Sequence, residues 1–189
     1  MFDLDGTLLD SDEALAAPFV SLGVPRDQVT FGHVVEEECA RLGLSVDDYL
    51  ARYDTGAAPP FAGVDEMLAA LAEREMRWAV CSNKKRAYAV AEMARLRWQP
   101  EVALFAEDFG GPKRLGPVLE RMGLDGGEVV FVGDTEHDRA CARAGGAAFA
   151  LAGWNARAGA VRAGDADAVL AAPADLLGLL DRLGIDRRH

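Results

Sequence analysis

The chain predicts an α/β protein: a parallel sheet flanked by helices, with a small all-helical module inserted after the first strand. Three observations predict it. Apolar runs such as Val129-Val130-Phe131-Val132 are continuous rather than alternating, as expected for parallel strands covered on both faces. From about residue 62 onward such runs alternate with helical patterns. Residues 12 to about 60 break that alternation and carry helical patterns instead.

Taken in order, Ala14 to Leu22 and Val34 to Leu42 read as helices. Ser45 is a natural N-cap for a third helix ending near Tyr53, and Gly56-Ala57-Ala58-Pro59-Pro60 reads as a linker. Val64, Met67, Leu68 and Leu71 fall on one helical face. Trp78-Ala79-Val80-Cys81 and Val102-Ala103-Leu104-Phe105 follow as strands. Leu115, Val118, Leu119 and Met122 form another helical face, stopped by Gly123. Strands are then expected at Val129 to Val132, Ala147 to Leu151 and Ala168 to Leu170. Leu176, Leu179, Leu180 and Leu183 close the chain as a helix after Pro173. The expected division is a core of residues 1–11 and 61–189 with a cap of 12–60.

Composition narrows the function. A chain of 189 residues, 50% hydrophobic and 27% charged, suits one ordinary domain or one with an insertion, not a disordered or collagen-like protein. Its net charge of −11 makes it a poor binder of nucleic acid or anionic membranes. No apolar run approaches the roughly 20 residues of a membrane span, and MFDLDGTLLD has no signal-peptide pattern. The cysteines, Cys39, Cys81 and Cys141, form no CxxC pair, so neither a zinc site nor a disulfide framework is indicated. A reducing, cytoplasmic setting is expected.

Ligands of open parallel sheets bind beyond the carboxyl ends of the strands. There the chain places Asp3-Leu4-Asp5-Gly6-Thr7, Ser82-Asn83-Lys84, a loop reaching Lys113, and Gly133-Asp134-Thr135-Glu136-His137-Asp138. Carboxylates gathered at one edge repel one another unless a cation intervenes. An oxygen-rich site with open positions suits Mg²⁺, and Ser82 and Lys113 would hold an anion. Carboxylates, a metal and an anion clamp point to phosphoryl chemistry.

These four elements, in this order, resemble the motifs of the haloacid dehalogenase-like hydrolases, with a Rossmann-like core. The insert at 12–60 and the Pro60-Phe61-Ala62-Gly63-Val64 return resemble the phosphoglycolate-phosphatase-type branch. The resemblance implies a phosphatase for a small phosphorylated metabolite. Asp3 is the implied nucleophile, forming an aspartyl-phosphate, and Asp5 the acid and base. Mg²⁺ would be held by Asp3, the backbone carbonyl of Asp5 and Asp134, with Asp138 as ligand or supporting partner. Ser82 and the Asn83 N–H would bind phosphate, Lys113 would offset its charge, and Thr7 would orient Asp5. A phosphomutase of the same family and a non-catalytic binding protein with this fold are the alternatives. Only Met1 and Phe2 precede Asp3, where the family usually has several apolar residues. The start therefore reads either as clipped or as the mark of a weakened core with reduced activity, and the first strand is expected to bury little and leave its neighbours partly unpaired.

The remaining candidates are weaker. Lys84 or Lys85 competes for the role of Lys113. His137 reads as a hydrogen-bonding partner of the acidic cluster or as solvent-facing, His33 as a surface residue, and Glu36-Glu37-Glu38 as a solvated face. Trp154 either lines the site mouth or packs. Arg52 and Tyr53 are candidates for substrate contact at the cap–core junction. Residues 11–60 carry 9 acidic against 3 basic side chains, which disfavours a polyanionic substrate, and so short a cap is expected to leave the site open.

Overall fold

The computed structural model describes residues 1–160 and 163–185. After the first loop come helices α1 (Asp12–Ser21), α2 (Val35–Leu42) and α3 (Val46–Leu50). The chain then alternates through α4 (Val64–Glu73), β1 (Ala79–Cys81), α5 (Arg86–Leu96), β2 (Val102–Leu104), α6 (Ala106–Phe109) and α7 (Gly116–Met122). It continues with β3 (Val130–Gly133), α8 (Glu136–Ala144), β4 (Ala148–Ala152), β5 (Ala168–Leu170) and α9 (Asp175–Leu183). No helix among the described residues is long and apolar enough to cross a membrane, and the three cysteines are buried and free.

The strands run parallel, β1 beside β2 and β3 beside β4 beside β5. Phe2 joins the two groups by bridging Val80 on one side and Val132 on the other. Alternate strand residues supply the two faces. Val80, Val130, Val132 and Ala150 pack with α4, α5 and α9, whereas Ala79, Phe131, Phe149 and Leu151 pack with α7 and α8. With both faces covered, the strands have no polar side, which explains their unbroken apolar runs. A side chain such as Phe131, with none of its surface exposed, contributes roughly 1.5–3 kcal/mol by burial.

The expectation for the first strand is overturned. Phe2 N donates to Ala79 O and Cys81 N to Phe2 O, both at 2.9 Å, while Asp3 N donates to Val132 O and Val132 N to Met1 O, also at 2.9 Å. Phe2 is 1% exposed and meets Trp78 edge-on. Short neighbours explain this: three residues suffice to satisfy both flanking strands, themselves only three and four residues long.

Helices α1–α3 enclose a cluster of their own, Ala16, Phe19, Val29, Cys39 and Tyr49, with the Phe19 and Tyr49 rings 4.4 Å apart. Ser45 caps α3, its side chain accepting from Asp48 N, but that helix ends at Leu50, short of Tyr53. The expected linker is in part a ribbon. Asp10 N donates to Pro59 O at 2.8 Å and Phe61 N to Leu8 O at 3.0 Å, so both passages between these helices and the sheet run side by side. Proline has no N–H to donate, and Pro59 serves here through its carbonyl alone.

Candidate active site

The loop after Phe2 turns sharply. Leu8 N and Leu9 N both donate to Leu4 O, and Gly6 adopts a φ of +77°. A Cβ at Gly6 would overlap Arg157 and Asp134, so glycine is required both for the turn and for the close approach. The turn leaves Asp3 at the strand end, facing the loops after β1 and β3.

Asp3, Asp134 and Asp138 are all buried, and one carboxylate oxygen from each lies within 4.8 Å of the others. Asp134 follows β3, and Asp138 lies in the first turn of α8, where Thr135 Oγ1 accepts from Asp138 N. Asp138 Oδ2 is occupied by Asp134 N at 3.2 Å, Thr135 N at 2.8 Å and Thr135 Oγ1 at 2.6 Å. Its Oδ1 is left to Lys113, whose Nζ lies 2.5 Å away and 2.7 Å from Asp3 Oδ1.

The charges do not balance locally. Burial pushes the Asp3 carboxyl up to about 8; Asp138 and Asp134 add to the rise and Lys113 opposes it. Burial, then Asp138, pushes Asp134 up to about 6 against Arg157. Burial also works against the Lys113 ammonium, but Asp138 and Asp3 hold it well above its ordinary range. Three buried carboxylates set against Lys113 and Arg157 leave negative charge over and can accept a further cation, and oxygen donors suit a hard divalent ion.

The other expected residues surround this cluster. Asp5 points away from it, and its Oδ1 lies 2.7 Å from Lys84 Nζ. Lys84 also reaches Glu92 Oε2 and Tyr53 OH, each at 2.8 Å, while Tyr53 OH donates to Glu92 Oε1 at 2.7 Å. The two lysines thus have separate tasks, Lys113 at Asp3 and Lys84 at Asp5. Ser82 is buried and its Oγ accepts from Lys84 N at 3.3 Å. Asn83 links two segments: its Oδ1 accepts from Lys113 N at 2.8 Å and its Nδ2 donates to Gly32 O at 2.9 Å. Asp3, Asp5, Ser82, Asn83 and Lys113 all border one cavity, which the Thr30–His33 loop also borders. With Gly32 bonded to Asn83 and Asp3 only 5% exposed, the site is covered rather than open.

Several expectations are corrected. Thr7 does not orient Asp5; the turn aims its hydroxyl at Asp134 Oδ1, 3.1 Å away. Arg52 bonds Asp48 O on the surface, whereas Tyr53 borders the cavity. Glu38 is not solvated: it is buried, and Thr30, His33 and Arg41 bond its carboxylate. His33 is half-buried against it, and His137 is exposed. Trp154 packs on the core while its Nε1 donates to Thr7 O at 2.9 Å.

Three contributors escaped the sequence reading. Arg157 Nη2 lies 2.7 Å from Asp134 Oδ2, its Nη1 lies 2.8 Å from Asp12 Oδ1, and its guanidinium sits 4.5 Å over the Phe31 ring. Asn155 Nδ2 donates to Gly6 O at 2.8 Å and to Asp134 Oδ2 at 3.1 Å. Neither has a local signature in the sequence. Glu92 has none either: it interrupts the face of α5 that it shares with Ala89 and Met93, and only the fold shows that this face is buried, where a carboxylate needs a partner.

Comparison with known proteins bears on this arrangement. The family model described as haloacid dehalogenase-like hydrolase matches residues 1–152. The phosphoglycolate phosphatase of Xanthomonas campestris pv. campestris is 31% identical over 189 aligned positions, covering 84% of each chain. The N-acetylmuramic acid 6-phosphate phosphatase of Pseudomonas aeruginosa is 28% identical, covering 96% of this chain and 94% of that protein. In fold, the crystal structure of a hydrolase from Pseudomonas syringae superposes with a TM-score of 0.77 at 19% identity, covering 96% of both chains.

Proposed function

The chain belongs to the haloacid dehalogenase-like hydrolases, in the branch that resembles phosphoglycolate phosphatases, and we propose that it hydrolyses a small phosphomonoester through an aspartyl-phosphate on Asp3 with Mg²⁺ bound. The observation that carries this reading is the buried Asp3, Asp134 and Asp138 cluster with Lys113 set between Asp3 and Asp138.

The cluster's excess negative charge fits a divalent cation. Asp3 and Asp134, with the backbone carbonyl of Asp5, would hold it, and Asp138 stands beside them. When bound, it would offset charge on the phosphate oxygens. The chain's own groups do the rest. Ser82 and the Asn83 N–H hold phosphate oxygens, and Lys113 offsets charge at Asp3 and the phosphate. An Asp3 oxygen attacks phosphorus as the ester P–O bond breaks, and Asp5 gives its proton to the leaving oxygen. Asp5 then takes a proton from the water that attacks the same phosphorus. The P–O bond to Asp3 breaks, releasing inorganic phosphate and restoring both carboxyl groups. Lys84, anchored by Glu92 and Tyr53, orients Asp5 for both transfers.

Residues 12–60 act as a cap on a core formed by 1–11 and 61–189. Their separate apolar cluster, the paired ribbon at Leu8–Asp10 and Pro59–Phe61, and the Gly32–Asn83 bond support that division. The test is hydrolysis of a panel of small phosphomonoesters with Mg²⁺ or with chelator, beside Asp3→Asn. Turnover that needs Mg²⁺ and disappears in Asp3→Asn is expected. Metal-independent turnover, or an Asp3→Asn variant as active as the parent, overturns the mechanism.

A further inference from the structure

The cavity of about 90 Å³ that borders Asp3 and Lys113 changes character toward helices α1–α3. Its far wall is made by Leu15, Phe19, Val35 and Leu50 with the rings of Tyr49 and Tyr88. The tyrosine hydroxyls are committed elsewhere: Tyr49 OH donates to Leu15 O and Tyr88 OH to Leu50 O, each at 3.1 Å. The Glu38 carboxylate, also on this side, is filled by Thr30 N at 2.6 Å, Thr30 Oγ1 at 3.0 Å and Arg41 Nε at 2.7 Å.

Cations are the missing ingredient. Among the described residues, no lysine or arginine of segment 12–60 borders the cavity, and His33, which does, has its Nε2 3.2 Å from Glu38 Oε2. Those supplied by the rest of the chain already face carboxylates. Lys113 is held by Asp3 and Asp138, Lys84 by Asp5 and Glu92, Lys85 by Glu36, and Arg157 by Asp134 and Asp12. The phosphate end has the groups an anion needs, and the far end has none to spare. A second anionic group on the substrate would lose its water against apolar surface, or would have to displace a protein carboxylate from its partner; both are costly. An uncharged carbon chain or ring gains from the same wall.

Resting on the phosphatase reading above, we propose that the preferred substrate is a phosphomonoester whose leaving group is uncharged and largely apolar, and that a carboxylate-bearing ester is a poor one. This separates the chain from its relative named for phosphoglycolate. The experiment measures kcat/KM of the full chain with Mg²⁺ for butyl phosphate, phenyl phosphate and 2-phosphoglycolate. The two uncharged esters are expected to exceed 2-phosphoglycolate by at least about tenfold, the lower end of what apolar fit in a pocket discriminates. Leu50→Lys, which places a cation in the wall, is expected to narrow or invert that ratio. Equal values, or a preference for 2-phosphoglycolate in the unaltered chain, overturn the proposal and leave the phosphatase reading standing. No turnover on any ester overturns both. Should Leu50→Lys fail to fold, the ratio in the unaltered chain decides alone.

Discussion

Arg157 holds Asp134 through an Nη2–Oδ2 contact of 2.7 Å, from a position 23 residues further along the chain. The guanidinium therefore occupies a carboxylate that the proposed Mg²⁺ site needs, and the two cations compete for it. Arg157→Gln removes one competitor. It is expected to bind Mg²⁺ about tenfold more tightly, the scale of one nearby charge partly screened by solvent. Isothermal calorimetry without substrate reads this directly. Unchanged or weaker affinity would show that Arg157 assists the site rather than competing for it.

Lys113 is the positive charge between Asp3 and Asp138. Above the Asp3 value of about 8, Lys113→Met leaves both carboxylates buried without that partner, a loss expected to cost about 3–5 kcal/mol. Urea unfolding of the metal-free protein measures it. Adding Asp3→Asn should recover part of the loss, because it removes one of the stranded charges. A double variant no more stable than Lys113→Met would mean that Asp3 is neutral in the folded chain.

Tyr53 gives the Asp5–Lys84–Glu92 group its third anchor, accepting from Lys84 and donating to Glu92. Tyr53→Phe deletes both bonds and keeps the ring. Stability is expected to fall by about 1–2 kcal/mol. The value of kcat is expected to fall more than KM rises, since the role proposed for Asp5 lies in the chemical steps and not in phosphate binding. Thermal unfolding and steady-state kinetics check the two halves separately.

Glu38 predicts a pH effect. Burial alone would raise its carboxyl, but hydrogen bonds from Arg41, Thr30 and His33 prevail and lower it from 4.5 to about 2. A depressed folded value stabilises above the unfolded value, and that stability drains away as pH falls from about 4.5 toward about 2. Glu38→Gln should therefore lose on the order of 2 kcal/mol at pH 7. It should also show a flatter acid limb than the parent in that window. Unfolding free energies measured across pH 2–7, a range set by those two values, test the sign; parallel curves would refute it.

Local patterns carry the sheet and most of the helices, and the four ordered motifs bring Asp3, Lys113, Asp134 and Asp138 to one edge. What remained hidden depends on distant geometry. The run Glu36-Glu37-Glu38 offers three like side chains, and only the position of Thr30 and Arg41 removes the third from solvent. The face of α5 mixes Ala89, Glu92 and Met93, so no apolar periodicity marks it. Arg157 lies in a stretch of alanine and glycine with no pattern, and its meaning comes from Asp134, Asp12 and Phe31. The first strand misled for another reason. Its length predicts little buried area, yet it is satisfied by hydrogen bonds on two sides at once.

That last segment also decides how the molecule comes apart. Among the described residues, the backbone bonds of Met1, Phe2 and Asp3 join Ala79–Cys81 to Val130–Val132. Break them and the sheet falls into a two-stranded and a three-stranded piece, with Ser82 on one and Asp134 on the other. The amide hydrogens of Phe2, Asp3, Cys81 and Val132 should therefore exchange with solvent together, at the slow rate of global opening. A partly unfolded form would therefore lose the register of Asp3, the proposed nucleophile, and denaturant is expected to abolish turnover and cooperative structure at one midpoint.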